Sequence, residues 1–447
     1  MSAPAVSPRS QPAPDSAQLD DLAHLYRRAG FGASPGDLAL AAKVGLESTI
    51  ARLVDYDSTP DPFDPPQDII NSVSRNADNL TQWWVGRMLT TTRPLQEKMA
   101  LFWHGHFATA ISKVANPVLM FNQNQVFRAN AMGRFDDMLT AMYKDPAMLI
   151  WLDGRRNTAQ APNENYGREV MELFAVGHGN YTEDDVHANA RAYTGWRLTL
   201  DGTAEFVPRL HDSGSKTLLG QTGAWGADDS VRILSGHPAT GPFLAGKLWR
   251  FFASDSPPTA AVDVMARTYY SSDHSIREMV RVMLSSPQFY SSATKTGHIK
   301  SPTEFVVTAV KTLGLQTMDL SPVPRALAAQ GQELFNPPNV GGWTGGAGWI
   351  NPTTMLQRFN FASLLTGDAR RATAPFSPQT LVTQSGARTM AQLTSYLAGL
   401  LGISPTGTTA AALKQYAGSG SVSRPNTAAT IQGLVHLMLI SPEYQVS

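Results

Sequence analysis

The run L-F-W-H-G-H-F-A-T-A at 101–110 sets two histidines, His104 and His106, one glycine apart. Neutral imidazole is the commonest protein ligand for transition metals, so the pair raises metal binding at once. An H-x-H pair can hold one ion from a β-strand, where alternate side chains share a face. The residues from Pro94 to Ala108 read as a helix, however, and on a helix positions i and i+2 point about 200° apart. Helical metal pairs sit at i, i+3 or i, i+4 instead. A regular helix therefore brings at most one of the two to a given site and leaves the other to packing. Gly105 is the residue that could loosen the turn and restore the pair.

A second stretch, N-E-N-Y-G-R-E-V-M-E-L-F at 163–174, enters a helix through Asn163 as N-cap. Asn165, Arg168, Glu169 and Glu172 then fall on one polar stripe. Facing water, the stripe is a solvated surface with an ordinary Arg168–Glu172 ion pair. Buried in a cleft, two carboxylates and a guanidinium form an acid/base or metal constellation. In Y-T-E-D-D-V-H-A-N, 181–189, Thr182 caps a helix whose first turn holds Glu183, Asp184 and Asp185, which complements the helix dipole. Asp185 and Asn189 share a face at i, i+4 and could together hold a hard cation. The run H-D-S-G-S-K at 211–216 puts His211, Asp212 and Lys216 in a Gly/Ser loop, without phosphate-loop spacing. His237, ahead of a helix carrying Lys247, Trp249 and Arg250, is a weaker candidate. Finally, N-P-P-N-V-G-G-W-T-G-G-A-G-W-I-N-P at 336–352 makes a Gly/Pro-rich loop with Trp343 and Trp349. Such rings either stack on a sugar or plug the core where glycines let backbones approach.

The elements that must position these residues are mostly helical. Apolar spacing predicts helices at about 19–28, 35–54, 78–91, 94–108, 117–130, 134–144, 163–176 and 182–195. Between 196 and 236 the pattern turns to β, with alternation on either side of Asp201-Gly202. Helices resume after Pro238, at about 239–253, 258–270, 274–285, 302–314 and 323–331. They continue at 353–366, 390–402, 408–417 and 426–440, with 368–389 read as a long loop. Two helices end alike, in S-S-P-Q-F-Y (285–290) and I-S-P-E-Y (440–444). Either a proline stops the helix and an aromatic pins its end, or a helical subdomain is duplicated. The fold class is thus mainly α, a large multi-helix domain over 19–366 with a β-hairpin insertion at 196–236. A C-terminal helical segment, 367–447, packs against it, and residues 1–18 read as a disordered leader.

Totals exclude several chemistries. The 447 residues include no cysteine, so disulfides, thiolate metal sites and thiol nucleophiles are out. Lys+Arg and Asp+Glu both number 36, which gives no general attraction to nucleic acid. No apolar run is long enough to span a bilayer. The first residues lack the apolar core of a secretory signal, so the default expectation is cytoplasmic.

W-H-x-H-F at 103–107, D-P-A-M-L-I-W-L-D at 145–153, the 163–186 and 190–196 motifs, H-D-S-G-S-K-T-L-L-G, H-P-A-T-G-P-F-L-A-G-K-L-W-R-F-F at 237–252 and N-P-P-N-V-G-G-W together closely resemble a large bacterial family. It is the domain-of-unknown-function family eighteen-hundred, and the resemblance runs from about Leu22 to Tyr444. It implies a largely helical protein without a settled activity. It also implies that many relatives are exported, and that many are encoded beside a sulfatase- or alkaline-phosphatase-like protein, a candidate partner. His178 departs from the pattern, standing where an apolar or small residue is expected.

Two readings follow. In the first the chain is a metal-dependent, hydrolase-like enzyme acting on a glycan or another surface polymer. His104, His106 and Glu169 would hold zinc, manganese or iron. Glu169, Glu172, Arg168, His211 and Lys216 would do the chemistry, and Asn163, Asn165, Trp343 and Trp349 would bind the polysaccharide. A metal-free variant uses Glu169 and Glu172 as a glycosidase pair, although i, i+3 carboxylates on one helix fit the required opposed geometry poorly. In the second reading the chain is a non-catalytic scaffold whose polar motifs are hydrogen-bond networks and whose partner is the phosphatase-like protein. Convergence of the motifs on one open cleft separates the two.

Overall fold

The computed structural model describes residues 16–61, 78–367, 377–424 and 427–447. The expected leader falls mostly outside them; the first helix, Ser16–Ala29, begins at the edge of what is described. Helices dominate. Among the described residues the only sheets are two antiparallel two-stranded ribbons, so the fold is mainly α. No helix among them is long and apolar enough to cross a membrane.

The centre of the molecule is the helix Pro94–His106. It has apolar residues all around and is enclosed on almost every side. Its polar side chains are therefore paired inside. Glu97 accepts from Trp84 Nε1 (2.9 Å), Arg87 Nε and Arg128 Nε (both 2.5 Å). Gln96 donates to the Arg128 carbonyl, and Lys98 reaches Glu304 on the equally enclosed helix Pro302–Thr312. Around this axis pack the fully buried rings of Trp84, Trp103, Phe107 and Trp249.

Several boundaries differ from the sequence expectation for identifiable reasons. The helix expected over 35–54 is two helices, Pro35–Val44 and Leu46–Val54, because Gly45 takes φ +86° between them. The helix expected over 163–176 is α-helical only over Glu164–Glu169 and continues as a π-turn, Val170–Ala175. The wider turn breaks the 3.6-residue spacing on which the polar stripe was drawn. The hairpin at Asp201-Gly202 forms as expected, pairing Trp196–Leu198 with Ala204–Phe206. A second ribbon pairs Lys216–Leu218 with Gln221–Gly223. The end of the expected β region is a helix instead, Ala227–Ser235; its V-R-I sequence imitates strand alternation. Within the expected loop 368–389, residues 377–389 include the short helix Pro378–Ser385, whose one buried side chain, Leu381, is too little to set a period. Phe289 and Tyr444, the aromatics of the repeated helix endings, are both fully buried.

One close approach fixes how the 163–186 motifs pack. A Cβ on Gly167 would lie 2.7 Å from Ala190 N and 2.8 Å from Val186 O of the helix Glu183–Ala192. Buried Asn189 locks the contact by donating to the Gly167 carbonyl at 2.9 Å. Gly167→Ala is expected to force the helices apart and cost about 1–3 kcal/mol, read as a lowered urea midpoint.

Candidate functional site

The structure groups the sequence-predicted residues in three places, the first two adjoining along the helix Glu183–Ala192. The 163–186 segment is the first. Asn163 caps its helix, accepting from Tyr166 N at 3.0 Å and donating to the Leu152 carbonyl at 2.9 Å. Asn165 is exposed. Arg168 does not pair with Glu172; it forks onto Glu183 with bonds of 2.9 and 2.5 Å. Glu172 accepts from the Tyr181 hydroxyl and lies 3.6 Å from His178. Glu169 is half-buried, and burial, reinforced by Glu172, raises its carboxyl above the usual range. Asp185 completes a capping box with Thr182, and Asn189 is bonded inside the core, so both have structural partners.

The second place is the 211–216 loop. Arg191 donates to Asp212 at 2.6 Å and, with burial opposing, holds that carboxyl down at about 2. Lys216 is buried and donates to the carbonyls of Asp212 (2.5 Å) and Gly214 (2.9 Å). His211 Nδ1 sits against Thr194, 3.0 Å from its carbonyl. This is a closed network that braces the second ribbon.

His104 and His106 behave as helix geometry requires. His104 Nε2 accepts the Phe335 N–H at 2.9 Å, and its ring lies 5.4 Å from that of Trp343. Burial alone pushes it down to about 3, so it is neutral. His106 Nε2 faces the Phe174 carbonyl at 2.9 Å and so carries the proton, which leaves a bare, buried Nδ1 with no partner among the described residues. Among the described residues no group of three or more His, Asp or Glu side chains could hold a metal ion. His104, His106 and Glu169 are thus not gathered into a ligand set.

The third place is an open cleft of about 520 Å³ beneath the 341–349 stretch of the Gly/Trp loop. Of the predicted residues it contains His106, Trp343 and Trp349. One wall is the end of Pro94–His106, with Phe102. The other is the helix Thr240–Phe252, with Lys247, Arg250 and Phe251. The loop comes down tightly on the first wall. A Cβ on Gly342, at φ +78°, would lie 2.4 Å from Gly105 O, and one on Gly346 2.5 Å from Asp255 Oδ2.

The cleft floor carries a relay that sequence reasoning missed. Lys98 donates to Glu304 Oε1 at 2.5 Å; Glu304 Oε2 takes the Ser301 N–H at 2.7 Å and the His298 Nε2–H at 3.0 Å. Burial alone would raise the Glu304 carboxyl, but Lys98 and then His298 outweigh it and hold it well below the usual range. Burial also lowers His298, which Glu304 opposes, so the ring is neutral. With Nε2–H committed to Glu304, His298 Nδ1 is a bare, buried acceptor that has no partner among the described residues. The one visible signal, S-P-T-E at 301–304, reads as a helix capping box, which it also is. The cations on the far wall belong to the region the sequence marked only weakly, after His237.

A family model described as a protein of unknown function (DUF1800) matches residues 24–446, nearly the whole chain. No curated protein and no solved structure matches it.

Proposed function

The chain belongs to the DUF1800 family of proteins of unknown function, and from that premise we propose a function on the cleft alone: the protein binds a glycan or other surface polymer beneath the 336–352 loop and acts on it as a hydrolase. The carrying observation is one of convergence. A partly exposed Trp343, Trp349 beside it, two cations and an oriented imidazole line the same cavity. Tryptophan faces suit the apolar faces of sugar rings, and an imidazole fixed by a carboxylate is the general-base half of hydrolytic sites. His298 borders the cleft with its Nδ1 enclosed, so it would act as general base once bound polymer opens that atom to water. It would then take the proton of the water whose oxygen attacks the bond being cleaved, while the leaving oxygen takes its proton from a solvent water on the opposite face. Glu304 holds the ring's tautomer and stabilises the imidazolium formed meanwhile.

This reading uses no metal, since no ligand set among the described residues supports one. Nor does it use Glu169 and Glu172 as a pair, since they stand on one helical segment and do not oppose each other across a cavity. The test is binding of the full chain to an array of neutral and acidic oligosaccharides. Trp343→Ala is expected to weaken the best ligand about tenfold or more, which corresponds to about 1.4 kcal/mol; unchanged affinity would refute the cleft.

A second reading, a scaffold docking the sulfatase- or alkaline-phosphatase-like partner, has two observations in its favour, the first being that the charged motifs of 163–216 are paired among themselves rather than gathered on the cleft. The second is that at the tip of the Asp201-Gly202 hairpin Leu200 is fully exposed, with Phe206 partly exposed on the same hairpin. Leu200→Ser would abolish partner capture under that reading and leave glycan binding intact.

A further inference from the structure

Lys247 and Arg250 sit three residues apart on the helix Thr240–Phe252 and both line the cleft. Many arginines and lysines of the molecule hold carboxylates, among them Arg168 with Glu183, Arg191 with Asp212, Arg281 with Asp55, and Lys295 with Asp20 and Asp21. Lys247 has a different environment. Its polar contact is the Leu173 carbonyl at 3.2 Å, and its ammonium lies 5.0 Å from the Phe243 ring centroid. The two carboxylates lining the same cavity do not neutralise the pair. Glu304 is taken by Lys98 and His298, and Asp255, at the cleft rim, makes no ion pair with either cation among the described residues. Lys247 is consequently a desolvated cation beside a second cation. Burial, with Arg250 adding to it, brings its ammonium down to about 8. A part-buried ammonium beside a second cation and without a counter-charge is unfavourable, and a bound anion relieves it.

We propose that Lys247 and Arg250 form the subsite for an anionic group on the ligand, a carboxylate or sulfate, so that the polymer is an acidic glycan. The inference rests on the cleft reading above and narrows its ligand class. Arg250 also borders a second, shallower depression of about 610 Å³ that continues past Val262 and Thr259. This leaves room for the chain of such a polymer to run on beyond the charged position.

The experiment measures binding of the full chain to oligogalacturonate, sulfated cello-oligosaccharide and neutral cello-oligosaccharide of equal length. It is repeated with Arg250→Gln, Lys247→Gln and the double variant. The acidic oligomers are expected to bind at least tenfold tighter than the neutral one, the carboxylate and sulfate arms deciding which anion is preferred. The double variant should fall to the neutral level. Arg250→Gln, an exposed position, keeps the test usable should Lys247→Gln disturb the fold, and alone it should remove several-fold of the preference. Neutral oligomers binding as tightly as acidic ones, or a double variant that keeps the preference, would overturn the inference while leaving the cleft reading standing. Failure of all three oligomers to bind would overturn both.

Discussion

Glu304→Gln is expected to destabilise the protein by about 3–5 kcal/mol, the cost of breaking a buried pair and leaving one charge behind. The carboxylate is held by Lys98 at 2.5 Å, by His298 at 3.0 Å and by the Ser301 N–H. The glutamine keeps the shape and loses the charge, so the fully buried Lys98 ammonium is stranded. Urea unfolding should show the loss as a lower midpoint at unchanged slope. Adding Lys98→Met should recover most of it, since well-packed apolar replacements of buried pairs are often neutral. A loss under about 1 kcal/mol would mean the pair behaves like an exposed one. The pH dependence has a definite sign. Because the folded carboxyl titrates below its unfolded value, its contribution is fully present above about pH 4.3 and disappears as pH falls through the folded pKa. The difference between wild type and Glu304→Gln should therefore shrink toward acid.

Gly342→Ala is expected to cost at least tenfold in glycan affinity while leaving helix content unchanged. The added Cβ would sit 2.4 Å from the Gly105 carbonyl oxygen, in a backbone conformation at φ +78° that L-residues rarely adopt. Neither the central helix nor its carbonyl can yield, so the loop must lift and take Trp343 away from the His104 ring and the cleft. The strain is about 1–3 kcal/mol, small enough for the fold to survive. Gly399→Ala, at an exposed position of the helix Met390–Leu401 outside the cleft, is the matched control, since a Cβ there meets nothing within 4 Å. Equal binding by both variants would show that the loop position does not matter to the site.

How much of this could be read from sequence depended on the range of the interaction. Helices with strong apolar spacing and local caps were legible almost to the residue, as in Pro117–Ala129, where Asn116 caps through its side chain. The Asp201-Gly202 turn was legible because its chemistry is local. Helix geometry at i, i+2 points His104 and His106 apart, and they meet Phe335 and Phe174 respectively. The π-turn at Val170–Ala175 was not legible, because a polar stripe drawn at α spacing carries no mark of a wider turn. The relay was hidden twice. Lys98 and Glu304 are 206 positions apart, and Glu304 looks like an ordinary capping residue. The motif-dense 163–216 region drew attention for its carboxylates, yet most of those charges are satisfied by neighbours in the same segment, as Arg168 is by Glu183 and Asp212 by Arg191.

The most direct test of the central claim, that the cleft under the 336–352 loop is the binding site, is hydrogen–deuterium exchange on the full chain with and without a saturating acidic oligosaccharide. The account predicts slowed exchange in the peptides covering 341–349 and 247–255, with 163–186 and 211–216 unchanged. Protection confined to 163–186 and 211–216 would contradict it and return the site to the glutamate-bearing helix.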